Sequence, residues 1–592
     1  MSQRPDAIIR IDAAVGEDPL VASYVAHHKA DCAYQVLSWP WLIIGFLAAI
    51  AGGLIGDRLA GAPAPLDVLA ADQVWIVFAH LCLGNPVAVL WGMLGGAVTA
   101  SVLGSVVRSG GIPASHEPLI GAPGAVLLYI VSYDWLLAVS AITGLVCLIY
   151  LGVTAYRLMA LLLGGAKGLH QEVPAEPADG WPVYTVLVPL YRETAVADKI
   201  LRHLGDLDYP KDKLDVKFLL EADDPDTLAA LEQAGLPEWA EIVVVPDAQP
   251  KTKPRACNHG LERARGEYLV IFDAEDRPQS DQLKQAVAGF AQVSDRHACL
   301  QAQLAYHNHD QNLLTRWFAL EYNVWFRRYL RGLVRLGAPI PLGGTSNHFR
   351  TAVLRQFQGW DPFNVTEDCD LGIRLHMHGY RTAIVESVTW EEANSRLGNW
   401  IRQRSRWLKG YLVTHMVWWR RPVRLMVKLK PWGFVGFFSA VFGVAGLAVL
   451  NLPLWIALGV YVSMIGYDMS QGHELWDLLS QRRLDGERLS WPMVFWGETE
   501  DPTWSRLSIA FFAASMTLLA ANVFFILVNA LFGRRPGQKG LIFAALLSPL
   551  YWVIMSIAAW KGLWQMLLRP HYWEKTVHGL SDEHDADKAS GP

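Results

Sequence analysis

Apolar residues crowd both ends of this chain and thin out in its middle. The first run is about Trp39–Ile55. The second, Val74–Val107, is interrupted at Gly84-Asn85-Pro86 and reads as two short helices or one span with a kinked entry. The third runs from about Trp135 to Leu163. A spanning helix needs about 20 apolar residues, so the pattern predicts three or four spans within residues 35–165. Residues 1–34 are polar, with acids and bases mixed. They lack the charged start and apolar core of a signal peptide, so no cleavage is expected.

From 179 to 414 the pattern changes to short β-rich runs alternating with helical stretches, the mark of an α/β domain with an open sheet. The predicted strands are Tyr184–Pro189, Val216–Leu220, Ile242–Val245 and Tyr268–Phe272. Helices are predicted over Gln311–Val334, Asp370–His378 and Asn399–Thr414. The stripe Trp317, Tyr322, Trp325, Phe326 and Tyr329 on the first of these reads as core packing rather than a sugar platform.

Residues 415–433, HMVWWRRPVRLMVKLKPWG, interleave apolar and basic positions, with Trp418 and Trp419 beside Arg420 and Arg421. This predicts a helix lying on an anionic inner leaflet, which places 179–414 in the cytosol of a multi-pass inner (plasma) membrane protein. Apolar runs return within 434–568: Phe434–Leu450, Leu452–Tyr467 across a turn at Asn451-Leu452-Pro453, Leu507–Leu531 and Leu541–Leu567, with a polar loop at 468–506 and a polar tail at 569–592. One feature conflicts with four crossings. The loop Gly533–Lys539 carries Arg534, Arg535 and Lys539 yet would then lie outside. Either Phe434–Tyr467 is not a hairpin or Leu541–Leu567 does not cross once.

Composition narrows the class. Hydrophobic residues make up 52% of the 592, charged ones 18%, and the formal net charge is -5. That leaves no basic footprint for nucleic acid and no disordered chain. Six scattered cysteines form no CxxC or His-Cys cluster, which argues against a disulfide framework or a zinc site. Three of them fall in the middle region, as suits a reducing cytosol.

The candidate chemistry sits at strand ends and on two late helices. Tyr268–Phe272 delivers Asp273-Ala274-Glu275-Asp276 to the tip of a central strand, the edge that faces a ligand in parallel sheets. Three carboxylates so close repel unless a cation binds, and their oxygens suit Mg²⁺ or Mn²⁺ shared with substrate phosphates. Val216–Leu220 delivers Glu221, Asp223, Asp224 and Asp226, some of which cap the following helix. Lys253 opens a helix, poor for the helix dipole but good for holding an anion. Gly343 and Gly344 would let backbone approach a ligand closely. Thr366-Glu367-Asp368 brings carboxylates to a helix start. Gln403, Arg406 and Trp407 stand at i, i+3 and i+4, so one helix face presents all three. A base for a hydroxyl proton, a cation for a departing diphosphate and an aromatic face for a sugar ring are what glycosyl transfer requires.

Thr366-Glu367-Asp368 followed by Gln403-x-x-Arg406-Trp407 resembles the signature of the membrane-embedded, processive family 2 glycosyltransferases, which include cellulose, chitin and hyaluronan synthases. The resemblance covers roughly 181–410 closely and the membrane segments in kind. It implies a GT-A-like domain carrying out inverting, metal-dependent transfer from a UDP-sugar to a growing polysaccharide, with export across the bilayer and with export partner proteins. By resemblance Pro189, Tyr191 and Glu193 form the loop under the base. Glu221 or Asp223 faces the nucleotide, Lys253, Asn258 and Asp273 complete its site, and Asp273 with Glu275 holds the metal, Asp276 standing as a substitute. Asp368 is the general base beside Thr366 and Glu367. Arg406 steadies the diphosphate, Gly344 and Gln403 contact the acceptor, and Trp407 stacks on its sugar. The chain departs from the family at E-A-D-D-P-D, where D-D-G is usual, and at Asp273-Ala-Glu275, where D-x-D is usual. Glu391 and Glu392 are left as unassigned acids near the site. The ending Arg569–Gly579 is similar to the tail of phage N4 adsorption protein B-like bacterial transferases. Two alternatives stay open: a single-transfer membrane lipid glycosyltransferase, and a non-enzymatic membrane scaffold or receptor with a transferase-like domain.

Overall fold

The computed structural model describes residues 135–165, 180–194, 197–420, 422–470 and 522–568, with isolated positions at 177, 472 and 519–520. The expected spans at Trp39–Ile55 and Val74–Val107, most of Leu507–Leu531, the 468–506 loop beyond Ser470 and the 569–592 tail lie outside the described residues. From Gly152 onward the described chain forms one compact unit; residues 135–151 are assigned to another.

The middle of the chain folds around one mixed sheet of eight strands. They are β1 Tyr184–Leu190, β2 Leu214–Glu221, β3 Ala240–Val245, β4 Tyr268–Ile271, β5 Arg277–Pro278, β6 His297–Tyr306, β7 Asn347–Arg350 and β8 Arg381–Glu391. Their order is β3-β2-β1-β4-β7-β6-β8-β5. β3, β2, β1 and β4 are mutually parallel, and β7 joins β4 and β6 antiparallel. Alternate residues along β1 feed opposite cores. Val186 and Val188 pack with Val216, Phe218 and Val270, while Leu187 packs with Leu219, Leu269 and Ile271. Burial on both faces explains why these strands read as unbroken apolar runs.

The helices used below are α1 Trp135–Leu163, α2 Pro225–Ala234, α3 Lys253–Arg263, α4 Gln282–Gln292, α5 Leu313–Val324, α6 Glu367–Met377, α7 Leu397–Trp419, α8 Pro422–Phe437, α9 Gly443–Ser470, α10 Asn522–Phe532, α11 Leu541–Leu546 and α12 Ser548–Leu568. The aromatic stripe that starts on α5 is core, as expected: Trp317, Phe326 and Tyr329 are buried, and Tyr322 and Trp325 pack half-buried against them.

Three expectations change at the apolar end. First, α7 does not stop at Thr414 but continues to Trp419, and the next helix starts with Pro422 in its first turn, where a missing N–H costs nothing. Trp418 is buried and donates to Asp370 (2.9 Å), so of the two tryptophans only Trp419 is exposed. The chain then kinks at Lys430, ahead of Pro431. Second, no turn forms at Asn451-Leu452-Pro453: α9 runs straight through it for 28 residues. An apolar helix tolerates a proline by giving up one backbone bond without ending. Third, Leu541–Leu567 is not one helix but α11 and α12, broken at Leu547. Among the described residues one stretch, Pro422–Leu452, is long and apolar enough to cross a membrane by length and composition.

The basic loop 533–540 is tied to the α/β domain. Asn323 donates to the Gly533 carbonyl (2.8 Å) and to Gln538 Oε1 (2.7 Å), and Arg327 donates to the Arg534 carbonyl (2.6 Å). Arg535 donates to Asn323 Oδ1 (2.8 Å) and Gln303 Oε1 (3.1 Å).

Candidate active site

The loops that carry the candidate chemistry leave one edge of the sheet. β1, β2 and β4 are parallel, so residues 191–194, 221–224 and 273–276 emerge together. β7 runs antiparallel to β4, which brings its preceding loop, 343–346, to the same edge. Ligands of such sheets bind outside the carboxyl ends of the strands.

On the β1–β2 side, the Tyr191 hydroxyl donates to Asp223 (3.4 Å), and Lys251 pairs with the same carboxylate (2.7 Å) and with Asp247 (2.9 Å). The Lys251 hydrogen bond holds Asp223 below the usual carboxylate range. Glu221 is buried against Arg255 (3.2 Å), and burial raises its pKa despite that partner. Asp224 caps α2, accepting from Thr227 N (3.4 Å), and also accepts from Arg192 N. The acids of E-A-D-D therefore divide: Asp223 lies at the rim, Glu221 beneath it, Asp224 in a cap. Glu193 N donates to Thr227 Oγ1 (3.1 Å), pinning the loop after Pro189 to the start of α2.

Lys253, in the first turn of α3, reaches into the centre. It pairs with Asp273 and donates to the Gly344 carbonyl (2.7 Å). Burial is the largest influence and would lower its pKa, but the charges of Asp273, Cys257 and Glu367 and the Asp273 hydrogen bond together raise it. Asn258 has a structural role that the sequence did not suggest. Its amide donates to the Trp360 carbonyl (2.7 Å) and accepts from Trp360 N (2.9 Å), so each end has a backbone partner. It secures the turn that leads toward Thr366-Glu367-Asp368.

The acids after β4 also separate. Asp273 and Glu275 are half-buried at the sheet edge, while Asp276 is fully buried. Asp276 Oδ2 accepts from Asp273 N (2.8 Å) and from the Thr345 hydroxyl, and its Oδ1 is buried without a hydrogen-bond partner. Burial, then the charges of Asp273 and Glu275, push its pKa well up. Asp276 thus braces the loop, which leaves Asp273 and Glu275 as the carboxylates that could hold a cation. Among the described residues no three His, Cys, Asp or Glu side chains converge as a ready-made metal site. The donor set fits Mg²⁺ or Mn²⁺ as an open half-site: two hard carboxylates, with diphosphate oxygens supplying further ligands. A residue left unassigned from sequence joins this group. Burial raises Glu391, at the end of β8, and next in order the charges of Asp276, Glu275 and Asp273.

Thr366-Glu367-Asp368 and the face of α7 meet. Thr366 makes no side-chain cap; its hydroxyl lies against Thr414 of α7 (3.3 Å). A Cβ on Gly410 would stand 2.4 Å from Thr366 Cγ2, so only glycine allows this approach. Gly410→Ala is expected to lower stability by about 1–3 kcal/mol through overpacking, read as a lower melting temperature of the detergent-purified chain; an unchanged melting temperature would show that the joint can slide. Asp368 Oδ1 accepts from Cys369 N (2.7 Å), and a Cβ on Gly344 would lie 3.6 Å from Asp368 Oδ2 and 4.0 Å from Lys253 Nζ. Gly344 therefore stands between the α6 acids and the cationic centre. Burial pushes Asp368 up to about 6, with the Cys369 amide and then Lys253 pulling it back. Burial and the Asp368 charge push Glu367 up to about 8. The Arg406 charge lowers both, so that guanidinium lies within electrostatic reach of the pair.

Gln403 is buried and accepts from Asn394 (2.8 Å) in the loop after β8. Trp407 is half-buried, with Tyr322 at 6.4 Å and 28° to its plane and Phe318 edge-on at 6.0 Å.

Residues 182–410 match the family model described as "Glycosyltransferase like family 2". The chain is 27% identical over 285 residues to a beta-monoglucosyldiacylglycerol synthase of Synechocystis sp., covering 46% of this chain and 58% of that one. It is 28% identical over 239 residues to a probable glucomannan 4-beta-mannosyltransferase of Oryza sativa subsp. japonica, covering 39% and 40%. The chain thus spans about half the length of these curated relatives. Among solved structures it is similar to a mannosyltransferase from Pyrobaculum calidifontis in complex with GDP-Man and Mn²⁺, at 21% identity and a TM-score of 0.41, covering 64% of this chain and 98% of that one.

Proposed function

We propose that this chain, whose residues 182–410 are a family 2 glycosyltransferase domain of the α/β, GT-A-like kind, transfers a sugar from a UDP-sugar, with inversion, to the end of a growing polysaccharide. One observation carries this reading: Lys253 and Asp273 at the sheet edge stand opposite Asp368 across the Gly344 backbone, with the Arg406 charge within electrostatic reach of Asp368. Donor and acceptor halves of a transfer site thus share one opening.

The roles follow from chemistry. Tyr191 and Asp223 line the rim where a nucleotide base would sit. Lys253 and Arg406 face developing negative charge on the departing diphosphate. Asp273 and Glu275 would hold a divalent cation, which supplies further charge neutralisation when bound. Asp368, ionised near neutral pH, accepts the proton of the acceptor hydroxyl as the new glycosidic bond forms and the bond to phosphate breaks. A single displacement of this kind inverts the anomeric centre.

The membrane reading is part of the proposal. Trp419, Val423, Met426, Val427 and Trp432 are exposed within 415–433, alongside Arg420, Arg424, Lys428 and Lys430. Such a surface suits an anionic leaflet. α9 as one uninterrupted helix removes one of the four C-terminal crossings. The loop 533–540 then falls on the side of the transferase domain, where its bonds to Asn323, Arg327 and Gln303 also hold it. The conflict with the positive-inside rule disappears.

A second acceptor class keeps a place because a monoglucosyldiacylglycerol synthase is among the relatives: a membrane lipid glycosylated once. The test is product size. Membranes containing the chain are incubated with a panel of radiolabelled UDP- and GDP-sugars, and wild type is compared with Trp407→Ala. A polymerase must retain the terminal sugar after the nucleotide leaves, so Trp407→Ala is expected to shorten product severely while hydrolysis of donor to free sugar persists. A wild-type product of one sugar per lipid would replace the polymer reading with the lipid one.

A further inference from the structure

Between Gln403 and Arg406 the sequence places a second arginine, Arg404, to which none of the roles above is given. It is 5% exposed, set among the Glu321 carboxylate, the Tyr551 hydroxyl and three aromatic rings. Its guanidinium binds Glu321 of α5 with both arms, Nη1 to Oε1 at 2.9 Å and Nη2 to Oε2 at 2.7 Å. Nη2 also donates to the Tyr551 hydroxyl of α12 (3.2 Å), which donates to Glu321 Oε2 (2.5 Å). The three polar groups close a ring among three helices. The planar cation meanwhile lies 4.9 Å from the centre of the Trp407 ring, 4.3 Å from Phe318 and 5.4 Å from Trp400.

We infer that Arg404, Glu321 and Tyr551 form a clamp that sets the orientation of the Trp407 indole, and that α12 is thereby a supporting wall of the acceptor site. Arg404 is a positioning residue here. It stands three residues before Trp407, one turn away on the same helix face. Glu321 is chained to Tyr322, whose ring stacks on Trp407, so consecutive residues of α5 hold the arginine and the indole. Bidentate pairing fixes the guanidinium plane, which a lysine cannot do. α12 is held to the same place independently. The Trp317 ring lies against Tyr551 of α12 (5.4 Å), Trp317 Nε1 donates to the Ala544 carbonyl of the adjoining α11 (2.7 Å), and a Cβ on Gly562 of α12 would stand 2.7 Å from the Ser405 carbonyl. α12 therefore runs against α7 at the turn that carries Arg406 and Trp407.

An ion pair that merely held helices together would, when weakened, reduce every activity in proportion to folded protein. A clamp on the acceptor platform would not. This inference rests on the transferase reading, and the experiment separates the two. Full-length wild type, Tyr551→Phe, Arg404→Lys and Arg404→Ala are purified in detergent and compared per mole of monodisperse protein. The donor is whichever nucleotide sugar supports wild-type turnover; the acceptor probe is the wild type's own purified radiolabelled product, titrated back. Tyr551→Phe removes one hydroxyl and is expected to raise the acceptor KM about 3–10-fold, the net effect of one typical hydrogen bond. Arg404→Lys is expected to raise it further, and Arg404→Ala furthest. The donor KM and the slow hydrolysis of donor should stay within about twofold of wild type in Tyr551→Phe and Arg404→Lys. Parallel loss of hydrolysis and transfer, or an unchanged acceptor KM in both variants, would overturn the clamp while leaving the function standing. A wild type that makes no product from any donor overturns the function, and the clamp with it.

Discussion

Asp368→Asn is expected to bind nucleotide sugar within about threefold of wild type and to turn over roughly 10²-fold or more slowly, the range for loss of a general base. Its carboxylate sits on the first turn of α6, facing Gly344 and Lys253, away from the β1–β2 rim where the base would lie. Removing it should therefore spare donor binding. Burial holds its pKa at about 6, so the sign of the pH dependence is set. A base must be ionised to act. Wild-type kcat/KM should rise with unit slope as pH rises toward 6 and flatten above it, and Asp368→Asn should lose that limb. The neighbouring Glu367, pushed higher, stays largely protonated through that window and can donate rather than accept a hydrogen bond. Normal turnover in the variant would move the search to Glu391, a half-buried carboxyl at the end of β8 whose pKa is raised.

Asp273→Asn should have an equally large effect by another route. Asp273 ends β4, pairs with Lys253 and stands beside Glu275. Its loss removes a cation ligand and leaves Lys253 without the charge that fixes its position. Turnover is expected to disappear and donor affinity to weaken by about tenfold or more, as loss of a charge-assisted partner implies. Chelation of divalent ions with EDTA should abolish wild-type activity, and Mg²⁺ or Mn²⁺ should restore it in wild type but not in the variant. Full activity in EDTA together with a normal Asp273→Asn enzyme would remove the cation from the mechanism. Donor binding, measured by calorimetry with UDP in the presence and absence of Mn²⁺, separates lost binding from lost chemistry.

Much of the site is legible without coordinates because it rests on local order. A buried parallel strand reads as an apolar run, and the acids that follow it must emerge at one edge. That is enough to find Asp273, Glu275, Asp223 and Lys253. Helical periodicity is enough to put Gln403, Arg406 and Trp407 on one face of α7. The residues that read differently in three dimensions all have roles set by distant partners. Asn258 and Trp360 are about a hundred positions apart, and nothing near Asn258 announces that its amide is used there. Asp276 differs from Asp273 and Glu275 only in which way the turn points it, and Thr345 decides that.

By itself, the sequence determined the α/β middle, its flanking apolar ends, the strand-tip acids and the pairing of Thr366-Glu367-Asp368 with Gln403-x-x-Arg406-Trp407. The first three follow from periodicity and residue type over a few turns, and the pairing from its resemblance to the family's signature. Only the tertiary structure decided that Thr366 is a joint against Gly410 rather than a cap, that Trp418 is buried on Asp370, that no hairpin forms at Asn451-Leu452-Pro453, and that α12 stands behind the Trp407 face. Those outcomes depend on which surfaces meet after the chain has closed loops of 44 to 230 residues. Loop length barely changes the cost of closure, so no local pattern can select among the contacts that such closure allows.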